Sequence, residues 1–134
     1  MPSGKSHYRL KLADALAAHE LVLVKYGGRP GILSLPLIES AINRPYVGYH
    51  RPIRQKAAAL VESAARNHGF ADGNKRTCLM LLGLLLDRSG FRLVKDGSPE
   101  TNEAVEAMIL AVAEGQMPFA QIEAWMAERI GKKP

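Results

Sequence analysis

The segment from Arg66 to Thr77 (RNHGFADGNKRT) concentrates side chains that could do chemistry in one short polar stretch. His68 has a side chain whose ordinary pKa suits a general base near neutral pH. Asp72 supplies a hard carboxylate oxygen, which suits Mg²⁺ carried by a polyphosphate. The remaining histidines follow no ligand spacing, so we expect no structural metal site.

Residues 73–76 (GNKR) form a candidate anion site because they fall where a helix is predicted to begin. Unpaired backbone N–H groups and the positive end of the helix attract an anion at such a position. Lys75 and Arg76 are unfavourable in a first helical turn unless an anion neutralises them. A base, a metal-binding carboxylate and a phosphate cradle within nine residues predict phosphoryl or nucleotidyl transfer.

Two helices must position this segment. A helix over about residues 53–67 leads into it, and one over about residues 74–89 leaves it, apolar on nearly every side and therefore expected to be the buried central helix. Phe91–Val94 alternates weakly and is too short to count as a sheet, whereas Ser98–Pro99 resembles a helix start. The periodicity predicts an all-α fold, one compact domain over residues 1–134. Its six or so helices cover about residues 10–26, 35–42, 53–67, 74–89, 98–115 and 119–130.

Charge is distributed unevenly along the 134 residues, which carry a formal net charge of +5. Residues 1–56 hold nine Lys/Arg and three Asp/Glu, whereas the remainder is nearly balanced. The longest apolar run, Cys78–Leu86, is far short of the ~20 residues that cross a bilayer. With a single cysteine and no apolar leader, the composition favours a cytoplasmic protein that has no contact with a membrane.

Residues 68–76 (HGFADGNKR) fit the pattern H-x-F-x-[D/E]-x-N-[G/K]-R, and this segment resembles the signature of the Fic/Doc (Fido) family. Residues 26–28 (YGG) and 38–45 (IESAINRP) are similar to the death-on-curing (Doc) branch. The likeness covers roughly residues 10–94. It implies a Fic/Doc-type helical domain with a short flap beside the active site.

The resemblance implies a role for each motif position. By it, His68 is the catalytic base that takes a proton from a hydroxyl of a target protein, and Phe70 anchors the loop in the core. Asp72 positions Mg²⁺. Phosphate binding is implied for the last four positions: Gly73, Asn74, Lys75 and Arg76.

Two departures from the pattern of adenylylating Fic enzymes indicate which branch of the family the sequence resembles. Lys75 stands where most adenylylating Fic enzymes have glycine, and Leu79 stands where they carry a second arginine. With lysine at the first of these positions, the motif resembles that of the death-on-curing toxins. This resemblance implies a protein kinase that uses Mg-ATP. Adenylyl transfer remains the alternative. The implied acceptor is a hydroxyl of a translation factor, elongation factor Tu, whose modification arrests growth.

Regulation in cis is not expected, because no Ser or Thr is followed four residues later by Glu, as the family's inhibitory helix requires. The resemblance instead implies a separate antitoxin whose disordered tail folds onto the toxin. We interpret the basic stretch over residues 44–56 as the flap, a docking surface for target or antitoxin. Its candidate contact residues are Tyr46, Tyr49, His50, Arg51 and Arg54. Two rival interpretations are a nucleic-acid-binding module, which no accompanying motif supports, and an inactive domain that only binds its partner.

Overall fold

The computed structural model describes residues 7–48, 50 and 52–134. Helices dominate these residues, and short strands follow the fourth and sixth helices. In chain order the elements are α1 (Leu12–Tyr26), α2 (Leu35–Asn43), one 3₁₀ turn (Arg44–Tyr46), α3 (Ile53–Arg66), α4 (Asn74–Arg88), β1 (Phe91–Lys95), β2 (Ser98–Pro99), α5 (Asn102–Ala113), α6 (Phe119–Arg129) and β3 (Ile130–Lys132).

The described residues contain a small antiparallel sheet in the order β2-β1-β3, so the all-α prediction is wrong in this part of the chain. Phe91 pairs with Lys132, and Leu93 pairs with Ile130. This pairing joins residues distant in sequence, which a local pattern cannot reveal. The sheet places β1 beside α4.

The predicted helix start at Ser98–Pro99 is also wrong. Those two residues form β2, paired with Val94 and Lys95. Helix α5 begins four residues later, where the Thr101 hydroxyl accepts a hydrogen bond from the backbone N–H of Ala104 at 3.2 Å. Thr101 is therefore the N-cap that the serine was expected to be.

Helix α4 is the central helix, as predicted, and packs against α1, α3, α5 and β1. Leu82 and Leu85 are almost completely buried there. The burial is not uniform around the helix, however, because Gly83 is exposed. One side of α4 therefore faces a groove rather than the core.

Within the described residues, no helix is both long and apolar enough to cross a membrane.

Candidate active site

The loop over residues 67–73 joins α3 to α4 and is anchored by Phe70, as the motif predicts. Phe70 is 5% exposed, and its ring stacks on the imidazole of His19 from α1, with 3.8 Å between the ring centroids. The Asn74 side chain closes the loop, because its Oδ1 accepts from the Phe70 N–H at 3.1 Å and its Nδ2 donates to the Phe70 carbonyl at 2.9 Å. The stack of Phe70 on His19 therefore holds the middle of the loop, and the side-chain amide of Asn74 holds it to the start of α4.

Asn74 lies at the predicted position, but its side chain is already bonded to the loop backbone on both sides. Asn74 is also the first residue of α4, so its backbone N–H lies at the start of the helix. The side chain positions the cradle, and its direct contact with phosphate stays a prediction.

Gly73 precedes α4 with a left-handed backbone, at φ +78°. A Cβ there would lie 3.2 Å from Cγ1 of Val22 on α1. Both the conformation and the close approach favour glycine at this position. Because Gly73 has no side chain, the start of α4 packs directly against α1 and its backbone stays uncovered.

Asp72 is exposed, yet its carboxylate is fixed by two backbone donors. Its Oδ2 accepts from the Arg29 N–H at 3.1 Å, and its Oδ1 accepts from the Gly73 N–H at 2.9 Å. These hydrogen bonds to Arg29 and Gly73 lower the pKa of the Asp72 carboxyl below its ordinary value. The carboxylate is therefore ionised at neutral pH.

His19 fixes the same residue through its backbone. Its Nε2–H donates to the Asp72 carbonyl at 2.8 Å, and the side chain is 6% exposed. Sequence analysis suggests no role for His19, since one buried histidine 53 residues before Asp72 carries no signal of its own. Arg29 was likewise missed, although it reaches the loop twice: its backbone N–H donates to Asp72 Oδ2, and its guanidinium donates to the Ala71 carbonyl at 3.1 Å.

The segment over residues 27–34 lies beside the motif loop. Leu33 donates its N–H to the Gly69 carbonyl at 2.8 Å, and Ala71 donates its N–H to the Gly31 carbonyl at 3.0 Å. Together these bonds form an isolated antiparallel bridge between Ile32 and Phe70. Residues 27–34, rather than the predicted stretch over residues 44–56, border the motif loop and are called the flap below.

The described part of the stretch predicted as the flap makes its contacts elsewhere. The Tyr46 hydroxyl donates to the Tyr8 carbonyl at 2.6 Å, and the ring of His50 lies 5.4 Å from that of Phe119. Arg54 pairs with Glu123 at 3.0 Å. Tyr49 and Arg51, the other two predicted docking residues, lie outside the described residues.

A cavity of about 360 Å³ opens at the start of α4. Arg76 lies at its edge, with its guanidinium 3.8 Å from the ring centroid of Tyr26. Lys75 and Arg76 are both exposed. The cavity thus combines backbone N–H groups, two cations and the Asp72 carboxylate; its lining is Val22, Tyr26, Gly27, Gly28, Asp72, Gly73, Asn74, Lys75 and Arg76.

His68 is exposed on the loop between α3 and the buried Phe70. The anchoring of Phe70 fixes the backbone two residues away, so the imidazole stands at the surface of a constrained loop. This is where a base must stand to reach a hydroxyl on another molecule.

A second and larger cavity of about 630 Å³ adjoins the first, and Tyr26 and Arg76 line both. It is a groove between α1, α4, β1 and the start of α5. Leu21 and Val24 expose more than half of their surface at its edge. Leu79 faces this apolar groove, where the adenylylating enzymes carry their second arginine.

Among the described residues, no group of three or more metal-ligating side chains occurs. A metal at Asp72 would therefore need most of its ligands from a bound phosphate and water, as Mg²⁺ at nucleotides does.

The motif loop thus carries an exposed histidine and a carboxylate fixed by two backbone N–H groups, and it leads directly into α4. The sequence profile of the Fic/DOC family matches residues 9–86, which is more than half of the chain. The chain therefore belongs to the Fic/DOC family. The matched residues include all of α1, the flap and the motif loop.

Two curated relatives carry Doc names. The Toxin Doc of Mycolicibacterium smegmatis is 35% identical over 78 residues, which cover 54% of this chain and 60% of the relative. The Protein kinase doc of Escherichia phage P1 is 33% identical over 91 residues, which cover 65% of this chain and 71% of the relative. The chain thus spans less than two thirds of the mycobacterial relative.

Proposed function

We propose that the protein is a death-on-curing-type toxin that transfers the γ-phosphoryl group of Mg-ATP to a hydroxyl of another protein. The observation that carries the proposal is the cavity at the start of α4, where Asp72, Lys75 and Arg76 meet beside the loop that exposes His68. The name of the mycobacterial relative supports the toxin role, and the name of the phage relative supports the kinase activity.

The residues present fit a Mg-polyphosphate. Gly73 leaves backbone N–H groups accessible, and Lys75 and Arg76 provide positive charge without a carboxylate partner among the described ion pairs. Asp72 would hold Mg²⁺ as an ionised ligand. The metal would neutralise charge on the phosphates during transfer.

In the proposed reaction, every proton transferred and every bond formed or broken involves His68, the acceptor hydroxyl or ATP. His68 takes the proton of the acceptor hydroxyl as its oxygen bonds to the γ-phosphorus. The bond between that phosphorus and the bridging oxygen breaks, and ADP leaves. Arg76, held against Tyr26, stabilises the charge on the phosphates.

Phosphoryl transfer is favoured over adenylyl transfer by Lys75 and Leu79. A lysine side chain in the cradle leaves less room for the α-phosphate and adds a point charge beside the transferring group. Leu79 faces the apolar groove, so no second arginine enters the cradle from that turn of α4. The phage relative is named a protein kinase, in agreement with this choice.

The acceptor would dock along the flap over residues 27–34. Ile32 is 50% exposed and Leu33 is 68% exposed, beside the loop that carries His68. In the bridge to Phe70, the neighbours of Ile32 make the hydrogen bonds, so its own N–H and C=O point to the outer edge. An extended acceptor segment could pair with that edge. We propose a translation factor, elongation factor Tu, as the acceptor.

A cognate antitoxin with a disordered tail is the proposed partner, and the 630 Å³ groove is its proposed binding site. Its apolar surface suits one face of an amphipathic helix. Its charged lining comprises three basic residues (Lys25, Arg76 and Arg92) and two acidic ones (Asp87 and Glu100), an excess that favours acidic side chains on the tail. Because Arg76 lines both cavities, a tail in the groove would compete with the nucleotide.

The deciding experiment incubates the protein with purified elongation factor Tu and ATP labelled at either the α- or the γ-phosphate. We expect label in the acceptor from γ-labelled ATP alone, and none with the His68→Ala variant. Transfer from the α-position would reassign the protein as an adenylyltransferase. Absence of transfer from both labels, to this factor and to cell extract, would contradict the proposed activity.

A further inference from the structure

Thr77 carries a buried hydroxyl directly beneath the motif loop. The residue is 3% exposed and lies one turn into α4, where its N–H donates to the Gly73 carbonyl at 3.0 Å. Within residues 7–48, 50 and 52–134, its Oγ1 has no hydrogen-bond partner. A buried hydroxyl without a partner is destabilising and therefore uncommon, so we expect a hydrogen-bonding partner at Thr77 Oγ1.

Thr77 lines a small cavity of about 20 Å³. That volume exceeds the ~10–15 Å³ that one water molecule needs. Asn67, Asn74 and Thr77 provide the polar side chains of the lining, and the others are apolar: Ala15, Leu37, Ile38, Ala41, Ile42, Ala64, Phe70, Cys78 and Leu81, with Gly69.

The two asparagines have hydrogen-bonding capacity to spare. Asn74 Oδ1 accepts one bond, from the Phe70 N–H, and a carbonyl oxygen has two lone pairs. Asn67 donates from Nδ2 to the Ser63 hydroxyl at 3.3 Å, which leaves its Oδ1 as an acceptor. Together with the Thr77 hydroxyl, these groups offer the two to four partners that a buried water requires.

We propose that one water molecule occupies this cavity and bonds to Thr77 Oγ1 and to the side-chain amides of Asn67 and Asn74. Asn67 precedes His68, and Asn74 follows the loop as the first residue of α4. The water therefore ties both ends of the loop to α4. Thr77 is a positioning residue for His68, and this role does not depend on which group the protein transfers.

The test compares Thr77→Val, which replaces the hydroxyl by a methyl group of similar size, with Thr77→Ser, which keeps the hydroxyl. If the water is present, Thr77→Val loses a hydrogen bond, and we expect its Tm to fall by about 3 °C or more. Thr77→Ser should stay closer to the wild type. If the cavity is dry, Thr77→Val removes an unpartnered polar group and its Tm should rise, which would overturn the proposal.

Two further measurements make the proposal specific. A crystal structure of the wild type at about 1.5 Å resolution should show the water within hydrogen-bond distance of Thr77 Oγ1; its absence there would overturn the proposal even if the valine variant fails to fold. Amide hydrogen exchange of residues 67–71 should accelerate in Thr77→Val relative to Thr77→Ser, whereas exchange in α6 should not. Equal exchange in both variants would contradict the positioning role.

Discussion

The imidazole of His19 lies parallel to the Phe70 ring at 3.8 Å while its Nε2–H donates to the Asp72 carbonyl at 2.8 Å. One side chain of α1 thus fixes two alternate residues of the motif loop. We expect His19→Ala to lower the free energy of unfolding by about 2 kcal/mol, because it removes the stack and leaves the Asp72 carbonyl without its donor.

The variant His19→Phe separates the two contacts, since it keeps an aromatic ring but has no donor. It should cost about 1 kcal/mol, measured by chemical denaturation. Equal losses in the two variants would show that the stack contributes nothing.

Tyr26 should act on nucleotide affinity through Arg76. The guanidinium lies 3.8 Å from the ring centroid, a geometry worth about 1 kcal/mol at an exposed site. We expect Tyr26→Leu to weaken ATP binding about fivefold by calorimetry, whereas Tyr26→Phe keeps the ring and should bind almost normally. A similar loss in both variants would implicate the hydroxyl instead.

The stability that Asp72 contributes should depend on pH. Its folded-state pKa is lowered by the hydrogen bonds from Arg29 and Gly73, so the contribution is fully present above the ordinary carboxyl range. It is lost as the pH falls through the folded-state pKa.

Thermal unfolding of the wild type and Asp72→Asn checks this sign. We expect the wild type to have the higher Tm at pH 7 and the difference to shrink below pH of about 4. A difference that stays constant down to pH of about 2 would mean that ionisation of Asp72 plays no part.

Gly28 and Gly27 form a matched pair on the flap, because both have positive φ, at +119° and +77°. A Cβ on Gly28 would lie 2.9 Å from Asp72 Oδ2, whereas one on Gly27 would meet nothing within 4 Å. We expect Gly28→Ala to lose about 1 kcal/mol more stability than Gly27→Ala, and to weaken Mg²⁺-dependent ATP binding as well. Equal behaviour of the two alanine variants would argue against contact between the flap and the carboxylate.

The motif over residues 68–76 could be predicted because its nine residues are contiguous and their side chains have recognisable chemistry. In the structure Phe70 is stacked on His19, and α4 begins at Asn74. The contacts of His19 and Arg29 with the loop could not be predicted, because both residues reach it across the fold; Arg29 does so through its backbone N–H and its guanidinium.

The position of the flap could not be predicted from the sequence, for a related reason. The sequence over residues 27–31 (GGRPG) indicates only that a helix stops, and one isolated bridge to Phe70 leaves no alternating pattern. The basic stretch appeared available for docking because its charges stand together in sequence. In the structure Arg54 is paired with Glu123, and Lys56 donates to His7 Nδ1 at 2.8 Å.

Three residues of α1 meet the motif in order: His19 contacts Phe70, Val22 approaches Gly73, and Tyr26 stacks on Arg76. They occupy positions i, i+3 and i+7, one stripe of the helix. Inserting a single residue between the first and the last would turn the stripe by about 100° and separate Tyr26 from Arg76. The candidate site is therefore built from two parts of the chain: a histidine and a tyrosine seven residues apart on α1 belong to it as much as the nine motif residues that follow some forty positions later.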